Sequence, residues 1–134
     1  LVMMASIVVA AGTGTSGPAP NQLAGPMGIF VDVNFDLYVA DCYNHRVQLF
    51  RPDVENGTTV AGRGSASPTV ALICPTEVAL DANKYLFVLD SINYRIIGSS
   101  VNGFRCLIGC NGQVLPDDGL LIPTSYSFDR VGNM

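Results

Sequence analysis

Tryptophan is absent from this 134-residue sequence, histidine occurs once, and charged residues make up only 13% of it. Each scarcity excludes something. With His45 alone and no Cys-x-x-Cys pair, the sequence carries no metal-ligand set of familiar spacing. Seven Lys and Arg stand against eleven Asp and Glu, a formal charge of −4, with a pI of about 4.6. A protein that grips nucleic acid through its phosphates needs a basic face. This balance argues against a nucleic-acid partner, and equally against attraction to an anionic membrane surface. No stretch holds an apolar period of 3.6, so helices are expected to be few. The apolar run from Leu1 to Ala11 lacks a basic leading segment and is too short to span a bilayer. No membrane segment is expected.

What is present is strand-and-turn vocabulary. Hydrophobic residues reach 49%, too many for a disordered chain. Val, Ile, Leu, Tyr, Phe and Thr come in short runs between Gly, Pro, Asn and Asp. These runs repeat. Gly25-Pro26-Met27-Gly28-Ile29-Phe30-Val31-Asp32 aligns with Cys74-Pro75-Thr76-Glu77-Val78-Ala79-Leu80-Asp81 at an offset of 49 residues. The same offset relates Tyr38-Val39-Ala40-Asp41 to Phe87-Val88-Leu89-Asp90, and Asn44-His45-Arg46-Val47 to Asn93-Tyr94-Arg95-Ile96. A third copy begins at Ile122-Pro123 and reaches Phe128-Asp129. Val8-Val9-Ala10-Ala11-Gly12-Thr13-Gly14 likewise matches Thr59-Val60-Ala61-Gly62-Arg63-Gly64. The apolar start is thus better read as the last strand of a preceding unit than as a targeting segment.

Each unit reads as four short strands. The first has them at 28–33, 37–42, 46–51 and 58–62, the second at 77–81, 86–90, 95–98 and 104–108. Four antiparallel strands per period of this length mark the blade of a β-propeller. The expected fold is therefore all-β: a partial β-propeller of four-stranded antiparallel blades stacked in an open arc. Its divisions are 1–14, the last strand of a preceding blade; 23–64, blade one; 72–112, blade two; and 120–134, the first strand of a third. Two complete blades cannot close a ring. The outer blade faces are then expected to stay apolar and exposed, so that the chain alone self-associates. The remaining blades of a larger, six-bladed parent are its expected neighbours.

These residues resemble the NHL repeat over nearly the whole chain. The family pattern is a Gly-Pro lead, an apolar strand ending in Asp, an aromatic-Val-x-Asp strand, and an Asn-x-Arg turn followed by an apolar residue. The first unit matches it at Pro26, Gly28, Asp32, Tyr38, Val39, Asp41, Asn44, Arg46 and Val47. The second departs from it by placing Glu77 where Gly is usual and Lys84-Tyr85 where Gly-Asn is usual. The Asp-x-x-Asn-x-Arg run has a structural reading. Asp41 and Asn44 can bond backbone groups across a tight turn, and Arg46 can pair with Asp41 from the next strand; the same holds for Asp90, Asn93 and Arg95. These six are expected to be turn clamps.

The four cysteines permit two disulfides, with four buried thiols as the alternative. Cys42 ends the second strand of blade one and Cys74 leads into blade two, so their pairing would cross-link the blades. Bridged cysteines need Cα atoms within about 7 Å, whereas a straight strand holds residues four apart at about 13 Å. Pairing Cys106 with Cys110 therefore requires a sharp turn, which Gly109 and Asn111-Gly112 can supply. The resemblance to NHL-repeat proteins adds weight to both bridges. Together with the glycosylation sequon at Asn56-Gly57-Thr58, they point to an extracellular or secreted setting.

Three functions follow from this reading. The resemblance implies a recognition platform, whose acidity leaves a protein, a glycan or a small ligand as the partner; the loops at 33–36, 42–45, 82–85 and 91–94 are the candidates. Related propellers include lyases and metal-dependent lactonases and esterases, which gather His or carboxylate ligands in the central channel. Here His45 stands alone in a repeat turn opposite Tyr94, so neither a catalytic residue, a metal nor a cofactor is expected, and an active site would lie largely outside this chain. The third is a structural spacer in a multidomain protein.

Overall fold

A computed structural model describes residues 9–66, 70–111 and 126. Two four-stranded antiparallel sheets account for almost all regular structure. Sheet one is β1 (Pro26–Val31), β2 (Leu37–Asp41), β3 (Arg46–Phe50) and β4 (Thr58–Gly62); sheet two is β5 (Pro75–Leu80), β6 (Leu86–Asp90), β7 (Arg95–Ser100) and β8 (Gly103–Ile108). Within each sheet, neighbours in sequence are neighbours in space. A 3₁₀ turn joins the second and third strands of each sheet, over Cys42–Asn44 and Ser91–Asn93.

The ends of the first strands differ from those read in the sequence, and the side chains of Asp32 and Asp81 give the reason. Asp32 Oδ1 accepts the backbone N–H groups of Asn34 and Asp36 at 2.8 and 3.0 Å. Asp81 Oδ1 accepts those of Asn83 and Tyr85 at 2.8 and 2.9 Å. Each aspartate is thereby drawn into the turn, and the strand stops one residue before it. At the other end both first strands begin at a proline. Pro26 pairs with Asp41 and Pro75 with Asp90, each across a bulge, a place where a missing N–H is tolerated. A second bulge falls at Val47/Gln48 and again at Ile96/Ile97. The repeat thus extends to the irregularities. Residues 9–14 carry no strand; the rest of the strand expected at 1–14, and all of 120–134 except Tyr126, lie outside the described residues.

The sheets stack face on face. Ala40, Val47 and Ala61 of sheet one meet Val78, Leu80, Leu86, Val88 and Ile97 of sheet two, with Leu72 from the connection, in one buried core. Small residues on one side and branched ones on the other let the layers interdigitate. The approach is closest between β1 and β5. A Cβ on Gly28 would stand 2.6 Å from the Thr76 carbonyl oxygen and 2.9 Å from Glu77 Cα. Gly28→Ala is therefore expected to force the blades apart at a cost of about 1–3 kcal/mol. A fall in the urea midpoint at unchanged m-value reads this out; no change would show that β5 can retreat freely.

The stack is head-to-tail. The face of sheet two that meets sheet one carries Val78 and Leu80, buried at 1% and 9% exposure. Their counterparts 49 residues earlier, Ile29 and Val31, are 61% and 51% exposed. Sheet one therefore presents an open apolar face, of the kind sheet two has covered. The ring is not closed.

Candidate functional site

The two strand-connecting ends of the stack differ in chemistry. At one end lie the 3₁₀ turns, the ends of β4 and β8, and the leads into β1 and β5. At the other lie the β1–β2, β3–β4, β5–β6 and β7–β8 turns.

The first end is built on a repeated trio. Asp41 Oδ2 accepts Asn44 Nδ2 at 2.7 Å and Arg46 Nε at 2.8 Å, while Asp41 Oδ1 accepts the backbone N–H of Ala24 at 2.7 Å. In sheet two Asp90 Oδ2 accepts Asn93 Nδ2 at 2.7 Å and Arg95 Nε at 2.9 Å, and Oδ1 accepts Ile73 N–H at 2.7 Å. Both aspartates are fully buried. Desolvation of a lone carboxylate there would be costly; charge-assisted bonds to both oxygens offset it. The arginines reach further than the turn. Arg46 donates to the carbonyls of Pro18, Ala19 and Gln22 at 2.9–3.1 Å, and Arg95 to that of Ala71 at 2.6 Å. Asn44 also donates to the Gly17 carbonyl at 2.9 Å. Each trio thus holds its turn and also fastens the incoming chain to its blade. The sequence pattern gives no sign of that second task, because the bonded groups are backbone.

The residues closing these turns, His45 and Tyr94, have φ of 55° and 54°. Opposite them Gly62 and Gly109, with φ of 83° and 72°, press against the His45 and Tyr94 carbonyls so closely that no Cβ fits. Cys42 is bonded to Cys74, with Cα atoms 3.9 Å apart, and Cys106 to Cys110, with Cα atoms 5.5 Å apart. The first bridge ties the 3₁₀ turn of blade one to the lead of blade two. His45 Nδ1 accepts the Cys74 N–H at 3.2 Å beside it, which requires that nitrogen to be unprotonated. Among the candidate loops, 42–45 and 91–94 lie at this end; 33–36 and 82–85 lie at the other.

That other end carries the acids. Asp32 and Asp36, Asp53 and Glu55, and Asp81 all sit in or beside its turns. Lys84 of blade two reaches across to Asp32 of blade one, Nζ to Oδ2 at 3.2 Å, an inter-blade pair that the sequence reading missed. Burial pushes the Asp32 carboxyl up, but the N–H groups of Asn34 and Asp36 together with Lys84 outweigh it and hold the group below its ordinary value of 3.8. The associated stabilisation is complete above the ordinary Asp value and is lost as pH falls through the lower folded value. Lys84→Met is expected to raise the Asp32 midpoint, followed by carboxyl ¹³C NMR; an unmoved midpoint would mean the backbone donors act alone. Asn56, the sequon asparagine, is exposed just before β4. Tyr126 donates its hydroxyl to the Phe87 carbonyl at 2.7 Å, and burial, helped by Glu77, pushes its phenol well above the ordinary range.

Comparison with known proteins finds partial matches. A family model described as "NHL repeat" matches residues 23–50. "NHL repeat-containing protein 2" of Bos taurus is 33% identical over 84 residues, which is 56% of this chain and 12% of that protein. The Homo sapiens protein of the same name is 34% identical over 84 residues, with the same coverage of 56% and 12%. The matched region therefore spans about an eighth of the length of these curated relatives. Among solved structures, one titled "Streptogramin B lyase structure" superposes with a TM-score of 0.46 at 18% identity, covering 62% of this chain and 26% of that one.

Proposed function

We propose that this chain, whose residues 23–50 match the NHL repeat and whose two four-stranded sheets stack as blades, is part of a propeller that works as a non-catalytic recognition platform in an extracellular or secreted protein. The observation that carries this reading is a constant frame with variable tips inside one chain. Asp41, Asn44 and Arg46 recur as Asp90, Asn93 and Arg95 with hydrogen bonds matched to within about 0.1 Å. Yet the residues those frames display change: Tyr43 becomes Ile92 and His45 becomes Tyr94, and at the opposite end of the sheets Phe35 becomes Lys84. A folding requirement would keep the tips alike as it keeps the frames. Loops of free composition on a rigid scaffold are where binding residues gather.

The recurrent carboxylates also argue against chemistry. Both oxygens of Asp41 and of Asp90 are engaged, and the groups are buried. Using either as a metal ligand or base would dismantle the turn. The two disulfides favour an oxidising compartment, and a protein, glycan or small ligand is the partner class that the chain's acidity leaves. The test is selection from a displayed random-peptide library against the intact chain. Recognition predicts binders that are lost on substituting tip residues while the melting temperature holds. A library yielding no tip-dependent binder would overturn the reading.

A further inference from the structure

The disulfide-bearing end of the stack carries an apolar strip that folding does not explain. Tyr43 and Ile92 are 73% and 55% exposed, each at the middle of a clamped 3₁₀ turn, and Ile73 is 41% exposed in the lead between them. Covalent and hydrogen bonds bring the three together. Tyr43 and Ile73 flank the Cys42–Cys74 bridge in sequence. The Ile73 N–H is held by Asp90, two residues before Ile92. The Ser91 hydroxyl, adjacent to Ile92, meets that of Thr76. The Tyr43 ring lies over Gly25, and its N–H donates to the Ala24 carbonyl at 3.0 Å. These are apolar groups in water on an ordered frame, presented at the strand ends rather than on the faces where blades stack.

The charge around the strip is one-sided. Arg63 is exposed and its backbone N–H donates to the His45 carbonyl at 3.1 Å, and His45 accepts the N–H of Cys74 next to Ile73, which places an arginine and a histidine beside the strip. The aspartates of this end, Asp41 and Asp90, are buried and paired. The turn carboxylates Asp32, Asp36, Asp53, Glu55 and Asp81 all stand at the opposite end. Among the described residues the one other carboxylate is Glu77, half-buried in β5, so their exposed acids are concentrated away from the apolar ridge.

From this arrangement we infer that the Tyr43–Ile73–Ile92 strip is a docking surface for an acidic peptide segment with apolar side chains. The apolar groups anchor such a segment and the bordering Arg63 and His45 receive its carboxylates. This inference rests on the platform reading and names the site and the partner chemistry within it. Aromatic anchors with a charged rim are the usual anatomy of such contacts.

The test uses the intact chain and three labelled probes: a peptide alternating Glu with Leu and Phe, the same peptide with Lys in place of Glu, and a single-stranded RNA oligomer. Fluorescence anisotropy is expected to show preference for the Glu peptide of at least tenfold. Tyr43→Ala with Ile92→Ala should weaken it by a further tenfold or more, and Arg63→Glu should abolish the preference for Glu over Lys. Far-UV circular dichroism checks that the variants fold; Arg63→Glu, at an exposed position, tests the charge even if the double variant is destabilised. Equal binding of both peptides, tighter binding of the RNA, or binding indifferent to these substitutions overturns the inference. Library binders that depend instead on Val33 or Phe35 at the opposite end would overturn it and leave the platform reading standing. Failure to obtain any tip-dependent binder would remove both.

Discussion

Asp41→Ala is expected to destabilise the chain by about 3–5 kcal/mol, the range for breaking a buried ion pair from one side. The size follows from what remains. Arg46, only 8% exposed in its side chain, would keep its charge with no carboxylate, the Ala24 N–H would lose its acceptor, and the Asn44 amide would keep only the Gly17 carbonyl. A total stability of about 5–15 kcal/mol is usual for a domain, so the loss would be a large share of the whole. Urea unfolding followed by circular dichroism measures it. Asp90→Ala is expected to cost less, because Arg95 is 21% exposed and water can take up part of its charge. A paired replacement, Asp41→Leu with Arg46→Met, should recover much of the loss, since neither partner is then left charged and alone. A loss below about 1 kcal/mol for Asp41→Ala would put the trio among ordinary surface pairs and remove the claim that it fastens the lead segment.

The contrast between those two aspartates also marks how far the sequence could be read. The offset of 49 residues placed both sheets, their strand order and the trio residues, because each is a local or nearest-neighbour feature that recurs. Strand ends were less legible. Asp32 and Asp81 look like strand residues in the pattern, but their side chains bond the turn ahead of them. Contacts across blades were legible only at the Cys42–Cys74 bridge. Lys84 reaching Asp32 has no counterpart among the described residues, as Phe35 holds the equivalent place, so repetition could not announce it. Nor can periodicity tell a covered face from an open one. Ile29 and Val31 are as apolar as Val78 and Leu80, yet only the second pair has a blade against it. The Tyr43–Ile73–Ile92 strip is the opposite case. It becomes visible only where the tips break the repeat, which is the part that alignment of the two units discards.

The two disulfides should differ in worth by about twofold, and loop length is the reason. In the chain-entropy account, closing a loop over the sequence separation of 32 from Cys42 to Cys74 stabilises by about 4 kcal/mol at room temperature, and closing one over the separation of 4 from Cys106 to Cys110 by about 2 kcal/mol. The positions sharpen the difference. Cys106 and Cys110 lie within β8 and the turn after it, so losing their bridge loosens one sheet edge. Cys42 and Cys74 join separate sheets at the end where the Arg46 and Arg95 trios fasten the leads. Without that bridge, the inter-blade core around Val47, Leu72 and Val88 must hold the sheets together with no covalent help at that end. Cys42→Ser with Cys74→Ser is thus expected to lower the urea midpoint by about twice as much as Cys106→Ser with Cys110→Ser. In the first variant, added reductant should produce only the smaller, remaining shift. A non-reducing peptide map of the parent chain fixes the pairing before either comparison. Equal losses from the two pairs would place the stabilisation in local geometry, and the inter-blade staple would then not be what holds the apolar strip in register.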